Sequence, residues 1–150
     1  MLVFHVDDNA QWTKGVYQIL HGRKIRGEAI VVRSFLLPEE AFQSLDREPP
    51  RVLIQDLCTG GGTLSNQEEV KEHKDKSFDL MKMAAEHGVN IVVLSNIASL
   101  GTQPANEYQE EVRQVVASPQ GRFVWVTKDE YDETDGRALI RAISDVTRKP

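Results

Sequence analysis

Five short apolar stretches, separated by longer amphipathic segments, set the pattern of this chain. Each stretch is rich in Val, Ile and Leu and lacks a regular alternation of apolar and polar positions. This is typical of strands that are buried on both faces of a parallel sheet. We predict these strands at residues 2–6, 29–32, 52–54, 91–94 and 123–126.

The segments between these strands repeat apolar residues at a helical spacing. Pro38 is placed to begin the second helix, and Gly22 and Gly88 are placed to follow the first and third. Five repeats of a strand followed by a helix predict an α/β fold with a doubly wound parallel sheet and right-handed crossovers. The apolar helix faces are Trp12, Val16, Ile19 and Leu20; Ala41, Phe42 and Leu45; Phe78, Met81 and Ala85; Tyr108, Val112, Val115 and Val116; and Leu139, Ile140, Ile143 and Val146.

Two of the predicted connections are long. Residues 57–77 contain three consecutive glycines and then a polar run, and residues 96–106 form a second polar stretch. A loop as long as the first is uncommon in a compact domain and suggests a function or disorder. The length of 150 residues and the single series of elements predict one domain over residues 1–150.

Composition narrows the class of protein. The formal net charge of −5 argues against a nucleic-acid partner, because neutralising phosphates needs clustered Lys and Arg. The single cysteine, Cys58, excludes an intramolecular disulfide. No apolar run approaches the roughly 18 residues of a membrane span, and no signal-peptide pattern precedes the first strand. We therefore expect a cytoplasmic domain without membrane contact.

Charged and hydroxyl side chains stand where the predicted strands end. Asp7 and Asp8 follow the first strand, and Asp56 closes the third. Ser95 follows the fourth strand, and Lys128 comes just after the fifth. Ligands of open α/β sheets bind outside the carboxyl ends of the strands, so these side chains are predicted to converge on one edge.

Such a set suits phosphoryl transfer to a carboxylate. Three clustered carboxylates repel one another, and Mg²⁺, which prefers oxygen ligands, relieves that repulsion. A carboxylate can attack phosphorus and form an acyl phosphate, whose oxygens then need a metal, a cation and a hydroxyl donor. Asp56 as the acceptor, with Lys128 and Ser95 beside the phosphoryl group, makes the set chemically complete.

Each of these residues also has a purely structural explanation. Taken alone, Asp8 or Asn9 is explained equally well by a role as the N-cap of the first helix and by a role in a site. Ser95 alone is typical of a turn, and Lys128 alone is typical of a solvated surface. Their joint placement at the ends of different strands favours a site.

With these residues in view, the chain resembles the response-regulator receiver domain over nearly its whole length. The segment Val6-Asp7-Asp8-Asn9 is similar to the acidic pair after that family's first strand. Residues 52–57 are similar to its phosphoacceptor strand. Residues 91–95 resemble its hydroxyl-bearing fourth strand, and residues 123–128 its fifth strand with the lysine. The resemblance implies a flavodoxin-like (βα)5 fold with five parallel strands in the order 2-1-3-4-5.

The resemblance also implies roles for the residues at the edge. Asp56 would be the phosphoacceptor, with Asp7, Asp8, Asp56 and the Cys58 carbonyl holding Mg²⁺. A histidine kinase or a phosphotransfer protein would supply the phosphoryl group, and a downstream protein partner would read it. The chain would then be a signalling switch rather than a metabolic enzyme, with its oligomeric state left open.

The same resemblance assigns the residues that bind and report the phosphate. Ser95 and Lys128 would contact the phosphoryl oxygens. Trp125 stands three residues before Lys128, where the family places its switching aromatic, so Ser95 and Trp125 would move together.

Departures from the family pattern leave two alternatives. Asp129 stands where the family usually has proline, and the chain after Asp56 is longer and richer in glycine than usual. These differences favour a receiver-like interaction module that works without phosphorylation. A Mg²⁺-dependent phosphohydrolase with Asp56 or Asp7 as nucleophile is disfavoured. The common phosphatase pattern places a second Asp two residues after the nucleophile, and neither Asp7 nor Asp56 is followed by one at that spacing.

Overall fold

The computed structural model describes residues 1–56, 67–95, 110–114, 123–127 and 136–148. The strands are β1 (Leu2–Val6), β2 (Lys24–Ile25), β3 (Glu28–Ala29), β4 (Val31–Phe35), β5 (Val52–Asp56), β6 (Asn90–Ser95) and β7 (Phe123–Thr127). The helices are α1 (Ala10–Leu20), α2 (Pro38–Arg47), α3 (Gln67–Glu86), α4 (described at 110–114) and α5 (Arg137–Val146). Within these ranges, no helix combines the length and apolarity that a membrane crossing requires.

Five of the strands form one sheet in the order β4-β1-β5-β6-β7, and every pair is parallel. Numbered along the five predicted strands, this order is 2-1-3-4-5. The doubly wound, flavodoxin-like topology predicted from the sequence is therefore confirmed.

Two hydrophobic cores lie on opposite faces of this sheet. Val52 and Ile54 of β5 pack into the core that α1 and α5 cover, whereas Leu53 between them packs into the core beneath α2 and α3. Val112 of α4 is fully buried in the second core. Because successive residues of an inner strand such as β5 enter different cores, apolar residues occur at consecutive positions, which explains the lack of alternation in the sequence.

The helix signals in the sequence correspond to helix ends in the structure. Pro38 is the first residue of α2, where its missing N–H leaves no helical hydrogen bond unmade. Gly22 lies two residues after α1, and Gly88 lies two residues after α3. These three predicted boundaries are thus confirmed.

The predicted second strand is wrong in its bounds. The apolar run 29–32 spans two elements, since Ala29 closes a two-stranded antiparallel hairpin of β2 and β3, and the edge strand of the main sheet is β4. The hairpin turn places Arg26 and Gly27 at φ of 51° and 81°. Two successive positive φ values are what a two-residue hairpin loop of type I′ requires, but Arg is an unusual residue for the first of them.

The predicted long loop over 57–77 is also wrong in part. Residues 67–77 belong to α3, which runs for 20 residues, and only 57–66 lie outside the described part of this segment. Two lysines of this helix form ion pairs with other helices. Lys76 pairs with Glu39 on α2, and Lys74 pairs with Glu111 on α4.

Candidate functional site

Strand register brings the ends of three neighbouring strands to one edge of the sheet. Val6 of β1 pairs with Gln55 of β5, so Asp7 and Asp8 follow β1 at the level where β5 ends in Asp56. Asp56 in turn pairs with Leu94, one residue before the end of β6. The edge therefore carries the acidic residues at its centre and the end of β6 beside them.

Three carboxylates meet at this edge. Asp7, Asp8 and Asp56 are all buried, with 0%, 6% and 3% of their surface exposed. One oxygen from each lies within 4.8 Å of the others. So close a group of buried carboxylates is unfavourable by itself and is suited to a hard cation.

Asn9, rather than Asp8, caps α1. The Asn9 side-chain oxygen accepts hydrogen bonds from the backbone N–H groups of Gln11 at 2.9 Å and Trp12 at 3.3 Å. The Asn9 N–H donates to Asp7 Oδ1 at 2.9 Å, which fixes the orientation of that carboxylate. Capping therefore explains Asn9 and leaves Asp8 without this structural role.

The remaining oxygens of the acidic pair differ in their surroundings. Fully buried His5 on β1 places Nε2 3.8 Å from Asp7 Oδ2. Asp8 Oδ2 is buried and accepts no hydrogen bond from the described residues. A buried carboxylate oxygen without a donor, beside two further carboxylates, is the environment that a bound Mg²⁺ would complete, so these residues fit that ion.

A buried amide beside the acidic group was missed by sequence reasoning. Gln55 Nε2 donates to the Asp56 carbonyl oxygen at 2.8 Å and to Ser77 Oγ on α3 at 3.2 Å. Both side chains are fully buried. Gln55 could have been noticed as a polar residue in a strand buried on both faces, whereas Ser77 lies in a polar run and gives no such signal.

The other predicted site residues are only partly described. Ser95 is the last residue of β6, and Thr127 ends β7, so Lys128 follows β7 directly. Lys128 itself and Cys58 lie outside the described residues, as does Asp129.

Trp125 lies on β7, half-buried, with its ring edge-on to Phe123 at a centroid distance of 6.4 Å. Its indole N–H is buried and has no hydrogen-bond partner among the described residues. Trp125 is paired with Val93 of β6, two residues before Ser95.

Comparisons with known proteins relate this geometry to solved structures. No protein-family model and no curated protein matches the chain. The response regulator domain of Thermotoga maritima CheB has a TM-score of 0.64 and 14% identity, over 100% of this chain and 98% of that one. CheY4 of Vibrio cholerae has a TM-score of 0.62 and 17% identity over 97% of both chains.

The receiver domain of the Francisella response regulator 1452 gives a TM-score of 0.59 and 14% identity over 98% of both chains. At these identities the likeness is one of backbone architecture, and it spans the whole of each domain. The chain therefore has the fold of the response-regulator receiver domains.

Proposed function

We propose that the chain is a phosphoacceptor switch that takes a phosphoryl group on Asp56 in two-component signal transduction. The observation that carries this proposal is the buried acidic group, in which the Asp56 carboxylate lies within 4.8 Å of Asp7 and Asp8 at the carboxyl edge of a receiver fold. In this arrangement the proposed nucleophile and the proposed metal ligands stand at the carboxyl ends of two adjacent strands, β1 and β5.

Asp7, Asp8 and Asp56 would hold Mg²⁺, with the Cys58 main-chain carbonyl as a further oxygen ligand. When bound, the ion offsets the negative charge of the carboxylates and of the incoming phosphoryl oxygens. Asp8 is the residue most dependent on it, because its buried Oδ2 has no donor among the described residues.

The transfer itself requires a nucleophile and charge compensation. A carboxylate oxygen of Asp56 forms a bond to phosphorus while the bond from phosphorus to the donor's leaving atom breaks, and the product is an acyl phosphate. The Lys128 ammonium and the Ser95 hydroxyl are proposed to pair with the phosphoryl oxygens. Ser95 ends β6 and Lys128 comes directly after β7, and both strands lie on the same side of β5 in the sheet order.

The proposed partners follow from this chemistry. The donor is a histidine kinase or a phosphotransfer protein, and the output passes to a downstream protein partner in the cytoplasm. In this role the chain is a switch that is phosphorylated, rather than an enzyme that turns over a metabolite.

Intact-mass spectrometry after incubation with acetyl phosphate and Mg²⁺ tests the proposal. We expect the wild type to gain the mass of one phosphoryl group and Asp56→Asn to gain none. Equal labelling of both proteins would remove Asp56 from the role. A wild type that stays unlabelled while remaining folded would instead support the phosphorylation-independent interaction module.

A further inference from the structure

A buried amide links the strand that carries Asp56 to helix α3. Both N–H groups of the Gln55 amide are used, one by the Asp56 carbonyl at 2.8 Å and the other by Ser77 Oγ at 3.2 Å. Gln55 and Ser77 are fully buried, so no water competes for these bonds from outside. The Gln55 side chain thus links the main chain at Asp56 to α3.

The orientation of this amide follows from its partners. Turning the amide over would face Gln55 Oε1 toward the Asp56 carbonyl oxygen, and two acceptors cannot hydrogen-bond. In the orientation present, Oε1 is buried and has no partner among the described residues. A buried acceptor without a partner is unfavourable, so the two N–H bonds are what hold the amide in place.

The position of the bond to Asp56 gives it a consequence for the site. Asp56 is the last residue of β5, where the hydrogen-bonded ladder ends. There the Gln55 amide holds the Asp56 carbonyl oxygen in one position. Because the carbonyl carbon is bonded to the Asp56 Cα, this hydrogen bond restrains the Cα from which the carboxylate side chain extends.

We propose that Gln55 is a positioning residue for phosphoryl transfer, with Ser77 holding its amide in register. This inference rests on the proposed function of Asp56 and names what aligns its carboxylate. In-line attack on phosphorus is sensitive to alignment, and a displacement of about 1 Å can cost roughly a hundredfold in rate. Metal binding would be less sensitive, because Asp7 and Asp8 would also hold the Mg²⁺ ion.

The test compares labelling rates by acetyl phosphate at saturating Mg²⁺ under conditions where each protein is folded. Gln55→Leu should lower the rate about tenfold or more, while the Mg²⁺ concentration for half-maximal rate changes by less than about threefold. Ser77→Ala removes the hydrogen bond that the Gln55 amide donates to Ser77 Oγ, and it should lower the rate about two- to tenfold. Met81→Ala is the matched control, since Met81 is fully buried on the same helix and its side chain has no N–H or O–H to offer the amide.

A second measurement does not depend on phosphorylation. In the metal-free protein the Gln55 side-chain amide protons should exchange slowly with solvent, and Ser77→Ala should accelerate their exchange where Met81→Ala does not. This separates loss of the amide's anchor from a general loosening of α3.

The outcomes are distinct for the two proposals. A labelled wild type together with a Gln55→Leu variant of wild-type rate overturns the positioning role and leaves the phosphoacceptor role intact. If Gln55→Leu does not fold, the labelling rate of Ser77→Ala is compared with that of Met81→Ala. Equal rates of those two variants overturn the positioning role. A wild type without label overturns both proposals.

Discussion

Asp8 shows most directly how a single residue reflects the chemistry of the site. It is 6% exposed, lies within 4.8 Å of two other carboxylates and does not serve as the helix cap. Two like charges at this separation repel by on the order of 1–3 kcal/mol in a protein environment of intermediate dielectric. The fold therefore holds carboxylates that repel one another at a place where a bound cation would offset that repulsion.

Replacing this carboxylate should have opposite effects with and without metal. Without Mg²⁺, Asp8→Asn should raise the free energy of unfolding by on the order of 1–3 kcal/mol, because the amide removes one of three clustered charges. In millimolar Mg²⁺ the wild type should gain stability by mass action, and Asp8→Asn should not. Urea unfolding measures both, with exposed Asp79→Asn as the control. A less stable Asp8→Asn without metal would contradict the repulsion argument.

Gly136 is a residue whose identity is set by packing and backbone together. It precedes α5 with φ of 76°, and a Cβ built there would lie 2.4 Å from Ile19 Cγ2 of α1. Ile19 is β-branched and cannot easily turn away. The start of α5 can approach α1 only because this position has no side chain.

We expect Gly136→Ala to lower the free energy of unfolding by about 2–4 kcal/mol, the sum of backbone strain and overpacking. Gly22→Ala is the matched control, because Gly22 has φ of 86° but a Cβ at that position would meet no atom within 4 Å. The difference between the two variants in urea unfolding therefore isolates the contact with Ile19. Equal losses would show that the close approach contributes nothing.

At the scale of elements, the five strands of the main sheet could be located from the sequence, whereas the hairpin of β2 and β3 and the first half of α3 could not. The buried runs around Leu53 and Val92 indicated a parallel sheet because both of its faces are covered. The first half of α3 was not recognisable, since its residues are mostly charged and two of its lysines form ion pairs with other helices. The bond from Gln55 to Ser77 joins residues 22 apart in sequence, and no local pattern encodes such a pair.

The ion pair between α2 and α3 makes a pH-dependent contribution to stability. Hydrogen bonds to Glu39 first, and to Glu72 next, raise the pKa of Lys76 above its ordinary value of 10.5. A raised lysine pKa means that the contribution is fully present below pH 10.5 and is lost as pH rises through the folded-state pKa. At neutral pH the pair is therefore stabilising.

Glu39→Gln tests this contribution. The variant should be less stable than the wild type at about pH 7, and the difference between them should shrink above about pH 10.5 and in high salt, because the pair is exposed to solvent. Urea midpoints across pH measure the difference, with Glu40→Gln on the same helix as the control. A difference that is independent of pH would show that Glu39 acts by some means other than the charge of Lys76.

At the scale of the whole molecule, the sheet order explains why residues far apart in sequence form one site. Asp8 and Asp56 are separated by 48 positions along the chain but stand at the carboxyl ends of adjacent strands, β1 and β5. This convergence could be predicted because it depends only on strand order and direction. The contacts of Lys128 and Cys58 could not, since they depend on loop conformations that strand order does not determine.

The same order connects the site to Trp125, because β7 lies beside β6. A phosphoryl group on Asp56 would offer acceptor oxygens to the Ser95 hydroxyl, and a charge-assisted hydrogen bond is worth roughly 1.5–3 kcal/mol. Drawing Ser95 toward Asp56 would open space beside β6 for the Trp125 ring, whose indole N–H is buried without a partner among the described residues. One such bond would change a two-state population ratio by about 10- to 150-fold.

Tryptophan fluorescence in a Trp12→Phe background tests this movement, with beryllofluoride as the phosphoryl mimic. We expect the emission of Trp125 to shift and its access to a soluble quencher to fall when the mimic binds in the presence of Mg²⁺, because the ring moves into the interior. Ser95→Ala should bind the mimic but lose the shift, since the hydroxyl transmits the change. Unaltered emission in a protein that demonstrably holds the mimic would show that Trp125 is not the moving part, and α3, which Gln55 and Ser77 tie to the strand of Asp56, would then be the element to follow.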